Sequence, residues 1–115
     1  MFVTSQGTVH GRFTRAIERR NLFDAEMAMR ELGSVSLLDA LDYLALLAEL
    51  RPAKAGRAAV RWHGRLEVEA PLLTLAESQL ALAALASLCA GEREAIGILR
   101  RLVRRVRPTV VAPTI

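Results

Sequence analysis

Apolar side chains recur along this chain at every third or fourth position, the spacing that gathers them onto one face of an α-helix rather than the two-residue alternation of a strand. The pattern predicts six helices. The first, over 9–20, places Val9, Phe13, Ala16 and Ile17 on one face, with Arg12, Arg15 and Arg19 elsewhere. Asn21 then reads as an N-cap, and Leu22, Ala25, Met29 and Leu32 form the seam of a second helix that stops at Gly33. Ser36 and Asp39 open a third, 37–50, so rich in leucine and alanine that little polar surface remains.

Pro52 is expected to close or kink that helix, because proline lacks an amide donor and clashes with the preceding turn. A fourth helix, about 54–68, would bury Ala55, Ala59, Trp62 and Leu66 before Ala70 and Pro71 interrupt the chain. Thr74 and Glu77 have the spacing of a capping box, in which each residue satisfies the other's free amide. The fifth helix that they begin, 75–90, is apolar almost all round, and Gly91 suits a left-handed stop. The sixth, 93–106, carries Ala95, Leu99, Leu102 and Val106 as its seam and ends at Pro108. Leu41, Trp62, Leu82 and Leu99 should all be shielded from water.

The even-numbered helices resemble one another: segments 25–32, 59–66 and 95–102 align without gaps. The third and fifth open alike, as Ser-Leu-x-Asp and Thr-Leu-x-Glu. The expected fold is therefore all-α, with about six antiparallel helices forming three hairpins. These would assemble either as a helical bundle or as a short α-solenoid-like stack. One helical domain over 1–108 followed by a short uncharged tail, 109–115, is the simplest division of 115 residues.

Composition agrees with packed helices, since 52% of residues are hydrophobic but only 4% aromatic, leaving leucine and alanine to fill the core. Cys89 is the only cysteine, which excludes an intrachain disulfide and a multi-cysteine zinc knuckle. A reducing, cytoplasmic setting is the natural expectation. The first residues lack the charged leader and long apolar stretch of a signal peptide. The uncharged stretch 78–91 falls short of the ~20 apolar residues of a membrane span, so it reads as a buried helix.

No nucleotide loop, nucleophile elbow or zinc-binding His-Glu-x-x-His is present, so no catalytic residue, cofactor or metal is expected, nor a small-molecule substrate. His10 and His63 both occur as His-Gly-Arg. They are either two halves of one site, or places where glycine allows a close helix crossing while His and Arg reach solvent. Cys89 on an apolar helix reads as core filling. Asp39 and Asp42, like Glu18 with Asn21, share a helix face and read as solvated edges.

Charge adds one further feature. Residues 1–50 carry five Arg against seven acids, whereas residues 51–115 carry eleven Lys and Arg against five. On the fourth helix Lys54, Arg57, Arg61 and Arg65 form a stripe, which costs a few tenths of a kcal/mol per like-charged pair and so is not there for helix stability. On the sixth, Arg100, Arg101, Arg104, Arg105 and Arg107 lie away from the seam, where the helix dipole favours them. Two functions follow as expectations. The first is a non-enzymatic protein-interaction or self-associating module, because the third and fifth helices offer more apolar surface than a small domain hides. The alternative is a small nucleic-acid-binding protein using the two arginine stripes.

Overall fold

The structure, a computed structural model, describes residues 8–106, and all six expected helices are present there. The expected tail over 109–115, with Arg107 and the stop at Pro108, lies outside the described residues. Helix α1 spans Val9–Glu18, α2 Leu22–Leu32, α3 Leu37–Leu50, α4 Pro52–Glu69, α5 Leu75–Cys89 and α6 Ala95–Val106. No strand occurs among the described residues.

Caps account for most boundaries. Thr8, Asn21 and Ser36 each accept a hydrogen bond from the amide three residues on, and Thr74 and Glu77 form the full reciprocal box. Gly33 and Gly91 end α2 and α5 at positive φ, 80° and 101°. Three boundaries differ from expectation by two residues: the end of α1, the start of α4 and the start of α6, which begins at Ala95 rather than 93. Helix α1 stops two residues early because Arg20 adopts the left-handed conformation (φ 60°), and Asn21 donates its amide back to the Ala16 carbonyl. That stop normally falls to glycine, so the sequence carries no sign of it. Pro52 occupies the first turn of α4, where its missing donor is harmless and its fixed φ is already helical.

Helices α3, α4, α5 and α6 pack in a closed ring, each on its neighbours and α6 back on α3, which makes them a four-helix bundle. An open stack of hairpins would not bring α6 to α3, so the bundle is the arrangement adopted. Its core holds Leu37, Leu41, Leu44, Trp62, Leu66, Leu85, Leu88, Leu99 and Val103, with the Trp62 indole donating to the Leu37 carbonyl at 2.9 Å. The hairpin of α1 and α2 has its own smaller core of Phe13, Ala16, Ala25 and Ala28 and rests against α3.

Leu41, Trp62 and Leu99 are buried as expected, but Leu82 is 48% exposed. Helix α5 turns Ser78, Ala81, Ala84, Leu85 and Leu88 inward and leaves Leu75, Leu80 and Leu82 facing out. The alanines allow close approach of its neighbours. Leu85 and Leu88 fill the core beside them.

Candidate partner-binding cleft

A cleft of about 1050 Å³ runs between the N-terminal hairpin and the bundle, with α3 as its floor. Phe13, Ile17 and Glu18 of α1 form one wall. Leu88 and Cys89 at the end of α5, with Glu94 and Ile96 at the start of α6, form the other. Ala45, Leu46 and Ala48 line the floor, and Leu46, although buried, belongs to neither hydrophobic core. The volume corresponds to roughly nine residues of a helix about 10 Å across, or two and a half turns.

Polar groups lie along both rims. Glu49 on α3 pairs with Arg20 from the hairpin and lies 3.8 Å from Arg93 on the bundle side. Arg100 of α6 reaches Asp42 of α3 at 2.7 Å, and His10 of α1 bonds Asp39 at 2.9 Å. The residues expected as solvated carboxylates, Asp39 and Asp42, thus tie helices together. All three rim arginines are engaged by rim acids, while Glu18 and Glu94 hold no ion pair among the described residues. The cleft therefore presents an apolar floor with spare negative charge at its edges. Burial pushes the pKa of the Cys89 thiol up from its usual value, so the only thiol in the chain is poorly nucleophilic at neutral pH.

The arginines singled out from the sequence fall into two separated groups. Lys54, Arg57 and Arg61 are exposed on α4 and hold no ion pair among the described residues, whereas Arg65 is bonded to Glu69 at 2.7 Å. On α6, Arg100 is held by Asp42 and Arg105 by Glu77, leaving Arg101 and Arg104 exposed and without an ion pair among the described residues. Helices α4 and α6 occupy opposite corners of the ring, so the two stripes do not merge into one surface.

The two His-Gly-Arg segments do not share a site. His10 engages α3, while His63 on α4 lies 2.9 Å from the Ser78 hydroxyl of α5, which itself donates to Glu67 at 2.5 Å. A close crossing at Gly64 is also absent, because a Cβ there would meet nothing within 4 Å. Sequence reasoning missed the Ser78 cluster. Its three groups resemble a nucleophile, base and carboxylate, but Glu67 bonds the hydroxyl and also approaches, at 3.7 Å, the same His63 Nε2 that faces Ser78, which makes the cluster a clasp between α4 and α5. Among the described residues no helix is long and apolar enough to cross a membrane, and no group of three or more His, Cys, Asp or Glu could hold a metal ion. The chain matches no protein-family model, no curated protein and no solved structure.

Proposed function

We propose that this protein is a non-enzymatic interaction module that receives a basic amphipathic helix from a partner protein in the cleft beside α3. The observation that carries this reading is the cleft itself: a volume that accommodates about nine residues of helix, apolar along its floor and flanked by Glu18 and Glu94, which hold no ion pair among the described residues. Helix-in-groove recognition uses that division of labour, with apolar anchors at every third or fourth position and charges at the rim. Rim charges chiefly guide encounter and orientation, while the buried floor supplies affinity.

Cys89 provides the readout, since it lines the cleft and is the chain's only thiol. Its reaction with a disulfide reagent is followed with increasing amounts of a basic amphipathic 18-residue peptide, and with a peptide of identical apolar face but reversed charge. Saturable protection by the basic peptide alone is expected, lost when Ala45→Arg fills the floor. Equal protection by both peptides, or by neither, would overturn the proposal. So would faster Cys89 modification after deletion of residues 1–7 without any peptide present, which would mean that the chain covers its own cleft.

A further inference from the structure

A second surface, on the side of the hairpin and bundle where α2 and α4 flank α3, has a different chemistry. Lys54, Arg57 and Arg61 follow one another along α4 at steps of three and four, all exposed and none neutralised by an acid among the described residues. Across Tyr43, whose hydroxyl donates to Glu26 of α2 at 2.7 Å, α2 presents Phe23, Met27 and Arg30 at steps of four and three. Phe23 is 68% exposed, and nothing in the hairpin's core uses it. Helix α3 packs against both α2 and α4, and the charges of Arg30 and Arg61, one from each, both reach its Tyr43 hydroxyl.

We infer that this face binds the sugar-phosphate backbone of single-stranded nucleic acid through Arg30, Lys54, Arg57 and Arg61, with a base stacked on Phe23. Four cations on two helices give a charge track, and an exposed aromatic ring at its edge offers a stacking platform to an unpaired base. A duplex keeps its bases stacked internally and gains nothing from Phe23. Specificity for sequence is not expected, because Arg57 and Arg61 hold no partner among the described residues that would aim them at a base edge, and Arg30 meets only the Met27 sulfur, at 3.9 Å. The α6 stripe is not part of the site: half of it is neutralised, and it lies at another corner of the bundle.

Fluorescence anisotropy tests this with labelled 20-nucleotide poly(dT) and poly(U), a 20-base-pair duplex and polyglutamate, at 50 and 200 mM salt. Both single strands should bind more tightly than the duplex. With four phosphate contacts, affinity should fall about 50-fold between the two salt concentrations, from a slope of about −0.7 per contact. Arg57→Glu with Arg61→Glu should roughly halve that slope. Phe23→Ala should weaken binding roughly 5- to 100-fold and leave the slope unchanged. Arg101→Glu with Arg104→Glu, which alters net charge equally on α6, should change affinity less than about threefold at 200 mM salt, where screening is short-ranged. Thermal unfolding of each variant confirms that these exposed substitutions leave the fold intact. Duplex binding as tight as single-strand binding would overturn the proposal. Equal binding of polyglutamate, an unaltered Phe23→Ala variant, or equal losses from the α4 and α6 reversals would overturn it as well.

Discussion

The bundle of α3 to α6 and the hairpin of α1 and α2 are held by different physics. The bundle buries large side chains, with leucines from α3, α5 and α6 meeting Trp62 and Leu66 of α4 around one continuous core. The hairpin buries one phenylalanine and three alanines, and its attachment to α3 relies heavily on polar links: His10 to Asp39, Glu26 to Tyr43 and Arg20 to Glu49. Apolar burial contributes about 25 cal/mol per Å² and is insensitive to salt, whereas exposed ion pairs contribute about 0–1 kcal/mol each and are screened. The cleft lies where these regimes meet, so one wall is firm and the other is set by weaker bonds.

The largest effect should come from the firm side. Trp62→Ala removes a nearly fully buried ring and its bond to the Leu37 carbonyl, leaving a cavity at the centre of the bundle. A loss of about 3–5 kcal/mol in urea unfolding followed by circular dichroism is expected. Phe13→Ala removes a comparably buried ring from the hairpin, but its cost should appear locally. Amide exchange of α1 and α2 should accelerate by orders of magnitude while the core of α3 to α6 keeps its protection. Uniform acceleration throughout would show the two regions to be one cooperative unit.

Ser78→Ala probes the seam between α4 and α5, where one hydroxyl satisfies both His63 and Glu67. Its removal should cost about 1–2 kcal/mol, because Ser78 is buried and the His63 ring, only 12% exposed, loses its close partner. This cluster also marks the limit of what the sequence discloses. Asn21, Gly33, Gly91 and the pair Thr74 and Glu77 announce helix ends because capping is local chemistry, read within four residues. His63 and Ser78 lie fifteen residues apart on different helices, with no spacing rule to join them. Closure of α6 onto α3 is equally hidden, since similar helix pairs at a regular offset suit a stack and a bundle alike. Leu82 was misplaced because an all-round apolar helix has no preferred face until its neighbours are known. The cleft draws on α1, α3 and the α5–α6 junction, so only the assembled fold displays it.

Tyr43 reports on the docking of the hairpin. Its pKa is raised from 10.0 to about 12, first by burial and then by its hydrogen bond to the Glu26 carboxylate, against the opposing pull of Arg61 and Arg30. A raised folded-state pKa means that the protonated phenol favours the docked state. That contribution is complete below pH 10 and is lost as pH rises through about 12. Because the chain has one tyrosine, absorbance at 295 nm should titrate near 12 in native protein and near 10 in urea. Tyr43→Phe should cost the hairpin about 1 kcal/mol of protection at pH 7. A native midpoint near 10 would mean that the hairpin is not seated on α3 as described.

The smallest effect is the most discriminating for the cleft. Glu49 binds Arg20 on the hairpin and approaches Arg93 on the bundle, with the two arginine side chains 50% and 75% exposed. Exposure on that scale leaves the pairs well solvated, so Glu49→Gln should shift global stability by less than about 1 kcal/mol and by nothing measurable in 0.5 M salt. Its effect on amide exchange should be confined to α1 and α2, and salt should produce the same loosening in the unaltered protein. If Glu49→Gln instead destabilises α3 to α6 as strongly as it loosens the hairpin, the ionic link holds both walls, and apolar packing does not by itself define the bundle side of the cleft.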